Sequence, residues 1–200
     1  MTQLESARNG ILTDEMKKVA LDEFIEPEKL MSLVASGKVV IPKNKNRSFE
    51  HVSAVGKNMR TKVNANIGTS GDRASFECEL KKLDTAVKAG ADSVMDLSTG
   101  GDLEKIRKEI LKRSPVMVGA VPLYAVAARL AMEDKPTRTM DADVLMRSIE
   151  AQCEEGVDYI TVHCGVTKES VARMDRTDRI CGIVSRGGSI TADWIRRNGK

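Results

Sequence analysis

Apolar positions along this chain change their spacing near residue 60, and the two stretches predict different elements. In the first stretch, Thr2 to Asn9 predicts a short helix that stops at Gly10, and Thr13 is placed to cap a second helix with Met16, Val19 and Ala20 on one side. Pro27 suits the first turn of a third helix, which ends before Gly37. Lys38 to Pro42 reads as a short strand or extended segment, and the polar, turn-rich residues 43–58 read as a loop. Residues 1–60 are therefore a helical lead-in to whatever residues 61–200 build.

From residue 61 onward, short apolar runs alternate with helical periodicity. The runs are Lys62–Ile67, Ser93–Leu97, Val116–Leu123, Tyr159–His163 and Gly182–Val184. Between them, Phe76, Leu80, Leu83 and Val87 share a helical face, as do Leu103, Ile106 and Ile110, and then Ala142, Leu145, Ile149 and Cys153. Strands without clean alternation, separated by amphipathic helices, predict a parallel sheet covered on both faces. An open doubly wound sheet and a (β/α)8 barrel both satisfy that pattern. No GxGxxG follows the first strand, whereas chemically able residues close every strand: Asn64 and Asn66, Met95 and Asp96, Tyr124, His163, and Ser185 with Arg186. The expectation is α/β, a TIM-like (β/α)8 barrel of which about the first five βα units are present, in a chain that looks like an N-terminal fragment.

Composition narrows the class. The 200 residues are 41% hydrophobic and 30% charged with a formal net charge of +3, too even a balance for a nucleic-acid surface. No run approaches the roughly 20 apolar residues of a membrane span, and Met1 to Ser6 has no secretory character, so a cytoplasmic location is expected. Cys78, Cys153, Cys164 and Cys181 form no CxxC spacing, and no metal site is expected within this chain.

Ser185-Arg186-Gly187-Gly188-Ser189 carries the strongest local signal. Two glycines let the backbone approach an anion, a new helix offers free N–H groups, and Arg186 adds charge. A tight turn with a solvated arginine is the alternative. His163 is placed to bond a ligand heteroatom or to act as acid or base, against the alternative of a structural histidine. Asn64 and Asn66, whose carboxamides are expected to point to opposite faces, can read a heterocycle edge or simply shape a turn. Asp102 is expected to cap the following helix, and Cys164 to be a buried inert thiol.

Lys62-Val63-Asn64-Ala65-Asn66-Ile67-Gly68, Val94-Met95-Asp96-Leu97-Ser98-Thr99-Gly100-Gly101, Val121-Pro122-Leu123-Tyr124, His163-Cys164-Gly165-Val166 and Val184-Ser185-Arg186-Gly187-Gly188-Ser189 together resemble the phosphomethylpyrimidine synthase family of thiamine biosynthesis, non-canonical radical S-adenosylmethionine enzymes. The resemblance implies a (β/α)8 barrel and the substrate 5-aminoimidazole ribonucleotide, contacted by Asn66, Met95, Tyr124, His163, Ser185, Arg186 and Gly187. It implies a [4Fe-4S] cluster that reductively cleaves S-adenosylmethionine, a divalent metal (zinc or iron), a reductant protein and a homodimer. The deoxyadenosyl radical takes hydrogen from the ribose, and the carbons rearrange to 4-amino-5-hydroxymethyl-2-methylpyrimidine phosphate. The cluster and metal ligands of the family are expected beyond Lys200, which implies that this chain alone is inactive.

Ala120 and Ala125 stand where the thiamine enzymes usually have Thr and Gln. The sister branch, 5-hydroxybenzimidazole synthase of anaerobic cobalamin biosynthesis, shares the substrate and is the alternative. Two readings of other classes are an acid–base or Schiff-base phosphate barrel, disfavoured by the lack of a strand-end lysine, and an inactive half-barrel binding fragment.

Overall fold

The computed structural model describes residues 1–174 and 176–199. Of its first three helices, α1 (Gln3–Arg8) and α2 (Asp14–Asp22) start at side-chain caps, and α3 (Pro27–Ala35) starts at a proline in its first turn. The Thr2 hydroxyl accepts from the Glu5 N–H while the Glu5 carboxylate accepts from the Thr2 N–H, a reciprocal cap that satisfies two otherwise orphaned donors. Thr13 accepts from the Met16 N–H in the same way. Met16, Val19 and Ala20 of α2 and Leu30 and Val34 of α3 are buried in one cluster, which also takes in Met117 from the sheet described below.

Residues 43–58 are a loop as read, apart from the two-residue strand Val55–Gly56, and the loop is anchored to the rest of the chain. Val39–Val40 (β1) pairs antiparallel with Val55–Gly56 (β2). Between them, buried Arg47 donates to the carbonyls of Leu111, Ser114 and Val116 and forms an ion pair with Asp158. The Asp158 carboxylate also accepts the N–H groups of Asn44 and Val118. Asn44 in turn donates through Nδ2 to the carbonyls of Cys153 and Val157. The polar side chains of this segment thus replace water at backbone groups that would otherwise be left buried and unpaired.

The second stretch builds β3 (Asn64–Ile67), α4 (Phe76–Lys88), β4 (Ser93–Asp96), α5 (Leu103–Arg113), β5 (Met117–Ala120), α6 (Pro122–Met132), α7 (Ala142–Glu155), β6 (Tyr159–Ile160), α8 (Lys168–Met174) and α9 (Arg186–Asn198). Strands β3, β4, β5 and β6 lie in that order, all parallel. Ile67, Val94, Val118 and Ala120 from the strands meet Leu83, Ile106 and Ile110 from α4 and α5 in a second buried cluster. The α/β class and the parallel sheet are as expected.

Three expected strands differ. The run Tyr159–His163 is a strand only at Tyr159–Ile160, so His163 lies three residues beyond the strand end it was expected to occupy. The run Val116–Leu123 ends as a strand at Ala120, because Pro122 occupies the first turn of α6, where its missing N–H is no loss. Tyr124 therefore sits in a helical first turn instead of at a strand end. Gly182–Val184 forms no strand: the segment stays irregular, and α9 begins at Arg186. Among the described residues the parallel sheet has four strands, with β3 and β6 at its edges.

The lead-in and the segments preceding the strands close one end of this sheet. Besides the Arg47 and Asp158 contacts, Arg60 pairs with Asp92, which accepts from the Val63 N–H, and Lys62 pairs with Glu23 of the chain following α2 at 2.5 Å. All of these lie at the N-terminal ends of strands. The C-terminal ends remain for chemistry, as in parallel α/β sheets generally.

Candidate functional site

Asn66 and Met95 are brought together by the sheet itself, being register partners on β3 and β4. Asn64 and Asn66 do not diverge as expected. Positions two apart on a strand share a face, and the Asn64 amide donates to Asn66 Oδ1 at 2.9 Å. Asn64 Oδ1 accepts from the Ser93 hydroxyl at 2.7 Å and the Tyr159 hydroxyl at 2.8 Å, so three strands orient the amide that orients Asn66. The Tyr159 phenol is raised in pKa by burial, which keeps it a proton donor to that amide. The Thr161 hydroxyl donates to the Met95 sulfur at 3.6 Å. Asn64, Ser93, Met95, Met117 and Tyr159 also line a cavity of about 630 Å³, but Pro42, Arg60 and Lys62 share its lining, so it lies toward the N-terminal ends of the strands, on the side the lead-in covers.

His163 and Gly187 form the second meeting point. A Cβ on Gly187 would lie 2.0 Å from His163 Cε1 and 2.3 Å from Nε2, so the imidazole rests on the bare backbone of the first turn of α9. Its Nδ1 is buried without a hydrogen-bond partner among the described residues. The ring also lines a largely apolar cavity of about 310 Å³ with Leu123, Leu145 and Trp194.

Arg186 and Tyr124 form the third. The guanidinium carbon lies 5.5 Å from the centre of the Tyr124 ring, a cation–π distance, and Nη1 reaches the Thr99 hydroxyl at 3.5 Å. Ser185 accepts from the Gly188 N–H at 3.1 Å and so serves as the N-cap of α9. The cap leaves the N–H groups of Arg186 and Gly187 without an intrahelical acceptor, as first-turn donors are. A helix start with two free donors, a hydroxyl and an arginine is suited to hold an anion.

Asp96 stays apart from these pairs. It is buried, its Oδ1 accepts from the Ser98 N–H at 2.9 Å, and burial raises its pKa, helped by Glu79 and opposed by Ser98 and Arg107. Asp102 caps α5 through the Lys105 N–H as expected. Cys164 is exposed, as are the other three cysteines, so the expected buried thiol is corrected: the segment after Ile160 leaves the sheet and turns outward. Sequence reasoning passed over Thr99, Tyr159 and Thr161 as functional side chains. The available signal was that Tyr159 and Thr161 are polar residues within the same apolar run that leads to His163.

A parallel α/β sheet with an amide and a thioether on its strands near their C-terminal ends, an imidazole beyond the last one and an arginine at the head of a helix places the chain in the class of α/β proteins that do their chemistry at the C-terminal ends of strands. Comparison with known proteins carries the placement further. The chain belongs to the Radical SAM ThiC family, whose family model matches residues 2–200. It is 48% identical over 200 residues to the phosphomethylpyrimidine synthase of Carboxydothermus hydrogenoformans, covering 100% of this chain and 47% of that protein. It is 52% identical over 197 residues to that of Methanocaldococcus jannaschii, covering 98% of this chain and 46% of the relative. With the Thermodesulfovibrio yellowstonii synthase the identity is 50% over 195 residues, again 98% and 46% of the two chains. The chain spans about half the length of the curated relatives it matches.

Among the described residues, no three His, Cys, Asp or Glu side chains converge in a way that could hold a metal ion, and none of the helices is long and apolar enough to cross a membrane. The exposed, dispersed cysteines do not fit an iron–sulfur cluster.

Proposed function

We propose that this chain supplies the substrate-gripping part of a thiamine pyrimidine synthase, and that the whole protein converts 5-aminoimidazole ribonucleotide to 4-amino-5-hydroxymethyl-2-methylpyrimidine phosphate. Family membership supports the reaction class. The observation that carries the site is Arg186, set at the head of α9 between the Tyr124 ring and the Thr99 hydroxyl. There it meets the substrate phosphate together with Ser185 and the first-turn backbone at Gly187. Asn66, oriented by Asn64, presents a donor and an acceptor to the aminoimidazole edge. Met95 offers a soft apolar surface beside it, and His163 contributes a ring nitrogen to the ribose side.

In this reading the sheet is the first part of a (β/α)8 barrel, residues 1–60 are its lead-in, and residues 61–200 carry its first units. A closed barrel mouth shields a reactive intermediate from solvent. S-adenosylmethionine, a [4Fe-4S] cluster and a divalent metal belong to the proposed reaction. The side chains described above do not fit the cluster or the metal, so no step through either is assigned to them. The proposed protein works in the cytoplasm as a homodimer with a protein reductant.

The test is to incubate the whole protein with 5-aminoimidazole ribonucleotide, S-adenosylmethionine and a reductant, and to weigh the product. The pyrimidine phosphate with 5′-deoxyadenosine is expected. A product with the mass of 5-hydroxybenzimidazole would move the protein to the cobalamin branch, the reading favoured by Ala120 and Ala125. Neither base and no 5′-deoxyadenosine would overturn the proposal.

A further inference from the structure

Thr99 lies outside the residues assigned to the substrate, yet it is the point at which two strand-end loops are locked together and joined to Arg186. The loop after β3 and the loop after β4 touch backbone to backbone. A Cβ on Gly68 would lie 2.6 Å from the Leu97 carbonyl carbon and 2.7 Å from the Ser98 nitrogen, and one on Gly100 would lie 2.3 Å from the Ser70 oxygen. Such approaches leave no room for a side chain at either position. Hydrogen bonds run in both directions across the seam. The Thr99 N–H donates to the Thr69 carbonyl at 2.9 Å, the Thr69 N–H donates to the Ser98 hydroxyl at 3.1 Å, and the Thr69 hydroxyl donates to the Gly100 carbonyl at 2.6 Å. Beneath the seam, buried Asp96 accepts from the Ser98 N–H. Thr69 and Ser98 are themselves buried.

The Thr99 hydroxyl completes the lattice. It donates to the Thr69 carbonyl at 3.2 Å, which turns its lone pairs toward the Arg186 Nη1, 3.5 Å away. The guanidinium is exposed, with the Tyr124 ring as its other neighbour. An exposed arginine has several rotatable bonds, and ordering it costs entropy at the moment it binds an anion. An acceptor fixed by a buried loop seam reduces that cost before the ligand arrives.

We infer that Thr99 is a positioning residue: its hydroxyl, fixed by the interlocked loops after β3 and β4, pre-sets the Arg186 guanidinium for the substrate's phosphate. The inference rests on the proposed role of Arg186. It adds that part of the anion affinity is built on a residue that does not touch the ligand.

The experiment measures binding of 5-aminoimidazole ribonucleotide and of its dephosphorylated nucleoside to the whole protein by calorimetry. The proteins compared are wild type, Thr99→Val, Thr99→Ser, Arg186→Ala and the Thr99→Val/Arg186→Ala double variant. Thr99→Val is expected to weaken ribonucleotide binding about 3- to 10-fold, the range of one lost hydrogen bond, and to leave nucleoside binding and melting temperature near wild type. Thr99→Ser restores the hydroxyl and the affinity. In the Arg186→Ala background, Thr99→Val adds nothing, because it acts through the residue already removed. Equal losses for ribonucleotide and nucleoside, or a full additional loss in the double variant, would overturn the inference. Failure of Arg186→Ala to discriminate the two ligands would instead remove the reading beneath it. Should Thr99→Val not fold, Thr99→Ala is put through the same cycle with the same criteria.

Discussion

Gly187 and His163 are a pair in which the absence of a side chain decides where an imidazole ring can sit. The imidazole occupies the space that any Cβ at position 187 would take. Gly187→Ala would therefore push the ring away from the first turn of α9 while suiting the helix itself, since alanine is the better helix former. A displacement of about 1 Å at a reacting group can cost about 10²-fold in rate. The expected result is turnover in the whole protein lowered by about that factor, with circular dichroism unchanged; wild-type turnover would show that the ring's seat is irrelevant to the reaction. His163 was legible in the sequence because it is one of two histidines and follows an apolar run. Its seat was not, because the contact joins residues 163 and 187 through folding alone.

Asp96 poses a different question at the same scale. Burial raises its carboxyl pKa, Glu79 acts in the same direction, and Arg107 acts against it. A raised carboxylate pKa means that the native state binds the proton more tightly than the unfolded chain does. The stabilisation is full below the unfolded value and is lost as pH rises through the folded one. Asp96→Asn keeps an oxygen for the Ser98 N–H and has no charge to bury. It is expected to melt higher than wild type at pH 7, with the gain disappearing below about pH 4. A lower melting temperature at pH 7 would mean that the charge itself is needed there.

At the level of elements, the sequence predicts helices better than it predicts where strands stop. α4, α5 and α7 follow apolar residues stepping by three and four, a signal contained within each segment. Strand ends depend on partners. The run from Val116 continues apolar through Leu123, yet pairing stops at Ala120, and Pro122 was the local mark of a new helix. Likewise Gly182–Val184 is apolar, but no hydrogen-bonded neighbour holds it as a strand among the described residues. The segment 43–58 is a loop as read, but its polarity does not mean exposure. Its polar residues are drawn inward by carbonyls more than 60 positions away in sequence, as with Arg47 and Leu111. Arg47→Ala would leave the buried Asp158 carboxylate without its cation, held only by the Asn44 and Val118 N–H groups, at a cost of about 3–5 kcal/mol. Chemical denaturation is expected to show a loss of that size; a loss below about 1 kcal/mol would show the segment to be a passive cover.

Across the whole molecule, the lead-in covers one end of the parallel sheet, and the proposed ligand side is the other. That division was legible only in part. The sequence marks strand-end residues with chemistry, but the anchoring of the closed end by Arg47, Asn44 and Asp158 appears only when distant segments meet. The lead-in also has its own acid sensitivity. A hydrogen bond from Lys43 at 2.6 Å lowers the Glu15 carboxyl from 4.5 to about 2. The stabilisation from this pair is present above the unfolded value and is lost as pH falls toward about 2. Glu15→Gln is expected to lower stability at pH 7 by about 1 kcal/mol and to converge with wild type near the acid limit. A constant difference at every pH would mean that the residue acts by packing alone.

The central claim is that Arg186 at the head of α9 holds an anion belonging to the substrate. The most direct measurement is the affinity of the whole protein for 5-aminoimidazole ribonucleotide and for its dephosphorylated nucleoside, with Arg186 intact and replaced by alanine. A charge-assisted hydrogen bond of about 1.5–3 kcal/mol predicts that Arg186→Ala weakens the ribonucleotide roughly 10- to 150-fold and leaves the nucleoside nearly unchanged. Equal weakening of both ligands, or of neither, would contradict it.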